Sequence, residues 1–181
     1  MHYLHKNPRL SLILLLLAAS LPLTSQINAQ HFRGRSFFLP VGSWFGIAEA
    51  TEPTSGFPST VTMLLSFQRD GILLGTDSTN FGVVGVQGSP AHGTWKYTGF
   101  RRVSGTFVWL QHANESGELV GYVRVQLEAQ IEDFKTMSGT LSPQAFALDQ
   151  NPLDPEAEGI SLGTFEFVAS RIPAVAGHSN P

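Results

Sequence analysis

Apolar and polar residues alternate along two extended segments near the middle of the chain, between residues 102 and 132. In the second segment Val123, Val125 and Leu127 alternate with charged or amide side chains. A period of two places one apolar row on one face of a strand and one polar row on the other. The five residues between the segments, Asn114 to Glu118, favour turn conformations. The pattern therefore predicts a long antiparallel hairpin.

The same alternation recurs along the chain and predicts about eight strands, and no segment has the spacing of an amphipathic helix. Consecutive strands joined by short turns form an up-and-down meander, and a meander of this strand number hides its edges by closing into a barrel. We therefore predict an all-β fold, an antiparallel up-and-down β-barrel of about eight strands. A two-sheet sandwich is the alternative. The predicted strands cover residues 41–50, 59–69, 72–78, 92–98, 102–113, 119–132, 134–142 and 163–172, with long loops at 79–91 and 143–159.

A different pattern occupies the beginning of the chain. Lys6 and Arg9 precede a short apolar run, and the small residue Ala29 follows after a polar stretch. This order is typical of a secretory signal peptide, and the run is shorter than the roughly 20 residues that a membrane-spanning helix needs. We expect a secreted or periplasmic protein with no membrane span after processing. The predicted divisions are a signal peptide over 1–29, an N-terminal arm over 30–40, a barrel domain over 41–172 and a disordered tail over 173–181.

The charge balance and the lack of cysteine limit which partners and which covalent modifications are compatible with the sequence. The chain has 11 Lys and Arg against 14 Asp and Glu, and removal of the leader would make it more acidic. A negative net charge argues against a nucleic acid or an anionic membrane surface as partner. The chain has no cysteine, which excludes a disulfide and a lipid-anchored cysteine.

The inward-facing rows of the predicted strands suggest where a ligand would bind. Trp44 shares its row with the small residues Gly46, Ala48 and Ala50, whereas other strands carry large aromatic residues. Large residues opposite small ones leave room inside a barrel of eight strands, so the interior is either a filled core or a cavity for an apolar or aromatic small molecule. The residues expected to contact that molecule are Met63, Trp95, Tyr97, Phe107, Trp109, Val125 and Phe167.

Few side chains of the predicted barrel offer reactive chemistry. His92 lies between a glycine-rich segment and a strand, and it is the one candidate for a catalytic imidazole. Neither His92 nor His112 has a metal ligand at close spacing, so we expect no metal. Glu49 and Glu166 fall on the outward-facing rows, where they are expected to be solvated. The sequence contains no nucleophile elbow and no phosphate-binding loop, and we expect no cofactor.

Gly42-Ser43-Trp44 on the first strand, together with Arg171 at the end of the last, resembles the signature of the lipocalin-like (calycin) β-barrels. The resemblance extends over the strand order from Val41 to Ile172. It implies that Trp44 closes one end of the barrel and that Arg171 packs across its indole, a cation–π contact worth about 0.5–2 kcal/mol. The usual disulfide and helix of the family are missing, which indicates the wider superfamily. The chain also resembles bacterial secreted single-barrel proteins of unknown function.

Three functions remain compatible with these observations. The first is a secreted barrel that binds a hydrophobic small molecule without catalysis. The second is a cofactor-independent cyclase or isomerase that folds a hydrophobic substrate in a dry interior, because such reactions depend on shape and desolvation more than on catalytic groups. The third is a structural protein of an envelope or matrix. An ionisable group with a shifted pKa inside the barrel would favour the enzyme, and an entirely apolar lining would favour the binding protein.

Overall fold

Ten β-strands and one helical turn are found in a computed structural model that describes residues 39–52, 56–82 and 85–174. The predicted signal peptide, most of the predicted arm and most of the predicted tail lie outside these residues. The elements are β1 (Gly42–Ala50), β2 (Thr60–Phe67), β3 (Ile72–Asp77), α1 (Thr79–Gly82), β4 (Val86–Gly88), β5 (Ala91–Gly99), β6 (Arg102–Ala113), β7 (Leu119–Ile131), β8 (Thr136–Phe146), β9 (Ile160–Ser161) and β10 (Phe165–Arg171).

Eight of these strands form a closed antiparallel barrel. The pairing runs from β1 through β2, β3, β5, β6, β7 and β8 to β10, and β10 pairs back with β1. The two short strands are additions, since β4 pairs with β6 and β9 pairs with β8. The prediction of an all-β, eight-stranded, up-and-down barrel is confirmed, and the sandwich alternative is wrong. The apolar alternation was enough to predict this fold because each of the eight barrel strands buries one face in the same core.

The predicted loop over residues 143–159 begins later than expected, because β8 continues through Pro143 as far as Phe146. Pro143 is opposite Val125 of β7. Its carbonyl oxygen accepts a hydrogen bond from the amide nitrogen of Leu162 at 3.0 Å, on the side away from β7. In an antiparallel strand the N–H and C=O of one residue point to the same side, so the missing N–H of Pro143 interrupts no bond with β7.

The connections of the barrel divide between two ends. The closed end carries the β2–β3, β5–β6 and β7–β8 turns, and β1 begins and β10 ends there. The opposite end, which we call the mouth, carries the β1–β2, β3–β5, β6–β7 and β8–β10 connections. The glycine-rich segment over residues 79–91 lies at the mouth and is not simply a surface loop, because it contains α1 and β4 and buries Thr79 and Asn80.

Trp44 and Arg171 are in contact at the closed end. The guanidinium carbon of Arg171 lies 4.4 Å from the centroid of the Trp44 ring. Arg171 also donates hydrogen bonds to the carbonyl oxygens of Leu39, at 2.7 Å, and of Val41 and Phe134. The fully buried indole of Trp44 donates from Nε1 to another carbonyl oxygen, 2.6 Å away. One stacked pair therefore holds together the first strand, the last strand and the β7–β8 turn.

The β8–β10 connection at the mouth is attached to β7 through one buried arginine. Arg124 donates hydrogen bonds to the carbonyl oxygens of Pro152, Asp154 and Ala157, at 3.0, 3.1 and 3.3 Å. Its guanidinium carbon lies 4.7 Å from the ring centroid of Phe146. A charged group can be buried here because backbone oxygens and an aromatic face replace the water that it loses.

Candidate functional site: the mouth of the barrel

Large side chains fill most of the barrel by packing over glycines of the neighbouring strand. A Cβ atom on Gly46 would lie 2.9 Å from Cε of Met63, and one on Gly139 would lie 2.9 Å from Cε1 of Phe167. The space that the small inward-facing residues vacate is therefore occupied from across the sheet. Five inward glycines each have a large cross-strand partner in the register: Gly46–Met63, Gly75–Leu65, Gly93–Phe107, Gly105–Trp95 and Gly139–Phe167.

One cavity of about 30 Å³ lies at the mouth, inside the barrel. That volume holds about two water molecules and is far below the roughly 300–1,000 Å³ of sites that enclose drug-sized ligands. Most of its wall is apolar, and the buried methyl of Ala48 and the ring of Phe165 belong to it. This cavity therefore lies toward the end opposite Trp44.

A polar corner interrupts the apolar wall of this cavity. Asp77, Thr76, Thr79 and Asn80 line it on one side, where β3 passes into α1. Oδ1 of Asp77 accepts a hydrogen bond from the amide nitrogen of Thr79, 2.7 Å away, and a second from the hydroxyl of the same residue. Nδ2 of Asn80 donates to Oγ1 of Thr76 at 2.7 Å. These bonds hold the corner rigid and satisfy groups that α1 takes out of water.

Four of the seven residues predicted to contact a ligand come together at this cavity. They are contributed by three regions of the barrel, β2, β6 and β7, and all four are buried. The rings of the two aromatic residues among them lie 6.4 Å apart, centroid to centroid. The four residues are Met63, Phe107, Trp109 and Val125.

The other three predicted contact residues do not line the cavity. Trp95 packs edge to face against Phe67, with 5.7 Å between ring centroids, toward the closed end. Tyr97 lies beyond it, with 5.2 Å between its ring and that of Trp95. Phe167 is buried and packs over Gly139. Strand parity identified all three as inward, but parity does not tell which level of the barrel a residue occupies.

The remaining candidates for chemistry lie on the outside of the barrel. His92 is exposed, because its neighbours Ala91 and Gly93 take the inward positions of β5. Glu49 and Glu166 are cross-strand partners on the outward face and are both exposed. Within residues 39–52, 56–82 and 85–174, no three His, Cys, Asp or Glu side chains are grouped so that they could hold a metal ion. None of these groups faces the cavity.

Asp77 is a candidate functional residue that was not predicted from the sequence. It shares the inward parity of Leu73 and Gly75 on β3, so an acidic residue at the end of an otherwise apolar row was the available signal. Burial raises the pKa of Asp77 above its ordinary value of 3.8, because leaving water disfavours the carboxylate. Hydrogen bonds from Thr79 and Asn80 oppose this change only in part.

Asp77→Asn should make the protein progressively more stable than the wild type as the pH rises above 3.8. The folded state keeps a proton on Asp77 at pH values where the unfolded chain has lost it. The stabilisation from that proton is complete below pH 3.8 and is lost as the pH rises through the raised pKa. Asparagine keeps the acceptor oxygen but cannot ionise, so it avoids that loss. Urea unfolding at a series of pH values measures the difference.

Asp133→Asn is the matched control with the opposite sign. Backbone hydrogen bonds from Lys135 and Thr136 lower the pKa of this exposed carboxyl. The folded state therefore favours the charged form, and the stability of the wild type relative to this variant should increase as the pH rises. The same pH trend for both variants would contradict the assignment of a buried carboxyl to Asp77.

Comparison with known proteins adds little to this description. The sequence matches no known protein family and no curated protein. Among solved structures the chain is similar to the crystal structure of Treponema pallidum Tp0751 (pallilysin), with 14% identity, 93% of this chain and 99% of that chain covered, and a TM-score of 0.34. A likeness at that level carries no argument about function. Among the described residues, no helix has the length and apolar character needed to cross a membrane.

Proposed function

We propose that this protein is an exported, lipocalin-like barrel that binds a small apolar molecule at its mouth and performs no chemistry on it. The observation that carries the proposal is the position of the cavity. The cavity lies at the mouth, and it has apolar walls with one polar corner formed around Asp77. Such a combination is typical of binding sites, in which apolar surface provides affinity and a few polar groups fix orientation.

The chemistry of the corner limits the ligand. Asp77 and Asn80 line the cavity and carry a carboxyl and an amide oxygen that can accept hydrogen bonds, so the ligand should carry a donor such as a hydroxyl or an amine. The remainder should be apolar, because Val125, Phe165 and Leu141 form the opposite wall. A ligand larger than about two water molecules must displace side chains of the mouth.

The lipocalin-like kinship and export rest on separate observations. The contact between Trp44 and Arg171, at 4.4 Å, has the arrangement that the resemblance to lipocalin-like barrels implies. The charged, apolar and small-residue order of residues 1–29 supports export. Neither observation depends on the cavity, so the ligand proposal can fail while both of these stand.

A fluorescence titration tests the binding proposal. Trp109 lines the cavity, and its emission should shift when a ligand displaces water. Fatty acids, retinoids, terpenoids and aromatic polyketides with and without a hydroxyl or amine form the panel. We expect saturable binding by members that carry a donor, and affinity roughly tenfold weaker in Ala48→Val, whose added methyl groups fill part of the cavity.

Ala129→Val is the control for that variant. Ala129 is a buried alanine on β7 that does not line the cavity, so the substitution adds the same volume elsewhere in the core. Its binding should equal that of the wild type. Equal losses in both variants would show that the fluorescence reports general loosening of the barrel, and absence of saturable binding by the whole panel would contradict the proposal.

A cofactor-independent cyclase or isomerase is the second candidate, and Asp77 is the observation that favours it. Its pKa is raised by burial beside an apolar cavity, which is the environment of a general acid. The two functions differ in what Asp77→Asn does. A binding protein should keep the ligand retained from its host, whereas an enzyme should accumulate unreacted substrate, and native mass spectrometry distinguishes the two masses.

A further inference from the structure

The charges of the described residues are divided between the two ends of the barrel. The β8–β10 connection alone places four acids at the mouth, where the one basic residue, Arg124, is buried. Ten of the fourteen acidic residues lie in the mouth half: Glu49, Glu52, Asp77, Glu115, Glu118, Asp149, Asp154, Glu156, Glu158 and Glu166. The other four, Asp70, Glu128, Glu132 and Asp133, lie in the closed half, where six basic residues against four acidic ones leave a net charge of +2. Six of the seven described basic residues lie in the closed half: Arg69, Lys96, Arg101, Arg102, Lys135 and Arg171.

Exposed aromatic residues accompany the cations at the closed end. Phe100 is 71% exposed at the tip of the β5–β6 turn, and Phe134 is 56% exposed at the tip of the β7–β8 turn. Each ring has a cation beside it. The guanidinium carbon of Arg101 lies 5.5 Å from the centroid of Phe100, and Nζ of Lys135 lies 5.1 Å from that of Phe134. Ile172 adds a third exposed apolar side chain.

We infer that the closed end docks on an anionic lipid surface, with Phe100 and Phe134 entering the headgroup region. Aromatic rings are favoured at that depth, and nearby Lys and Arg side chains are attracted to anionic headgroups. A flat surface meets only one end of the barrel, so the acidic mouth faces the solvent and does not oppose binding. This arrangement leaves the cavity accessible, and it does not depend on the proposed ligand.

The path of the chain supports the same orientation. The carbonyl oxygen of Leu39, the first described residue, accepts a hydrogen bond from Arg171, so the described part of the chain begins at the closed end. The preceding sequence contains two arginines and two phenylalanines, Arg33, Arg35, Phe37 and Phe38, the same residue types that the closed end exposes.

The geometry favours a lipid surface over a nucleic acid. Single-stranded nucleic acids follow a basic groove in which bases stack on successive aromatic rings. Here the two rings project from separate turns, and each is already flanked by its own cation. The overall negative charge argues against an anionic membrane surface as partner, but net charge does not describe the local charge of a molecule whose acids are concentrated at one end.

Vesicle co-sedimentation tests the inference, with protein collected after export from its host. Vesicles of phosphatidylcholine with about one third phosphatidylglycerol are compared with vesicles of phosphatidylcholine alone. We expect the wild type to bind the anionic vesicles only, and added salt to weaken this binding. In the Phe100→Ser/Phe134→Ser variant the bound fraction should fall by roughly fivefold or more. Arg102→Gln/Lys135→Gln should also lose binding and should lose the salt dependence with it.

Leu153→Ser/Ile160→Ser is the matched control at the mouth. These residues are 72% and 76% exposed, so the variant removes as much exposed apolar surface from the opposite end. It should bind vesicles as the wild type does. Any one of three results would overturn the inference. These are equal binding to both kinds of vesicle, equal losses in the two apolar variants, and binding to a single-stranded oligonucleotide in place of vesicles. Melting temperatures equal to that of the wild type show that the variants are folded.

Discussion

Gly93→Ala is expected to lower the free energy of unfolding by about 3 kcal/mol or more, at or beyond the upper end of ordinary overpacking costs. A Cβ atom at this position would lie 2.0 Å from the carbonyl oxygen of Thr106 and 2.5 Å from Cα of Phe107. Both obstacles are backbone atoms of β6, so no side-chain rotation relieves the clash. Relief requires β5 and β6 to separate where they are paired. Urea unfolding gives the change directly.

Gly99→Ala is the control on the same strand. The nearest atoms to a Cβ there belong to the Arg102 side chain, at 3.8 Å, which is an ordinary contact. The substitution also reduces the entropy of the unfolded chain, so stability should be unchanged or should rise by about 0.4–1 kcal/mol. If Gly93→Ala and Gly99→Ala melt alike, the close approach of β5 to β6 in the structure is wrong.

Trp44→Ala should destabilise the protein by about 3–5 kcal/mol, the usual cost of removing a fully buried large side chain. The substitution leaves a cavity at the closed end and removes the aromatic face on which Arg171 stacks. It also leaves the carbonyl oxygen of Pro40 without its donor. Thermal and urea unfolding of the purified variant would measure the loss.

Trp44→Phe separates the parts of that effect. It keeps an aromatic face for Arg171 and most of the buried volume, and it loses the hydrogen bond from Nε1 to Pro40. The loss should therefore be smaller than for alanine. Arg171→Met tests the partner, because three carbonyl oxygens would lose their donor. Melting temperatures equal to that of the wild type in Trp44→Ala and Arg171→Met would contradict the role of this pair.

The sequence predicts the fold well because every long strand has one face that is buried in the core. The rows that contain Val123 and Val125, and Phe165 and Phe167, are buried in the structure as their alternation predicts. A register shift of one residue would expose all of them, so the alternation constrains the pairing strongly. Pro143 misled the prediction because proline ends a strand only where its missing N–H would have been paired.

The site is less predictable, because its shape depends on register and not on parity. Trp95 and Trp109 share one inward parity, yet one packs toward the closed end and the other lines the cavity. The pairing of Gly46 with Met63 and of Gly139 with Phe167 appears only when each strand is aligned with its neighbour. Gly46, one of the small residues that suggested a roomy barrel, therefore accommodates Met63, whereas Ala48 of the same row lines the cavity.

The attachment of the β8–β10 connection at the mouth has a consequence for protein engineering. Arg124 binds Pro152, Asp154 and Ala157 through main-chain oxygens, which any amino acid supplies. The turns of the segment do depend on side chains, because Oδ1 of Asn151 accepts a hydrogen bond from the amide of Leu153 and Oδ1 of Asp154 accepts one from the amide of Glu156. The exposed positions near these acceptors can therefore be replaced while Asn151 and Asp154 are kept. Foreign side chains placed at exposed positions such as Leu153 and Glu156 would be presented in a defined conformation on a scaffold that has no disulfides to form.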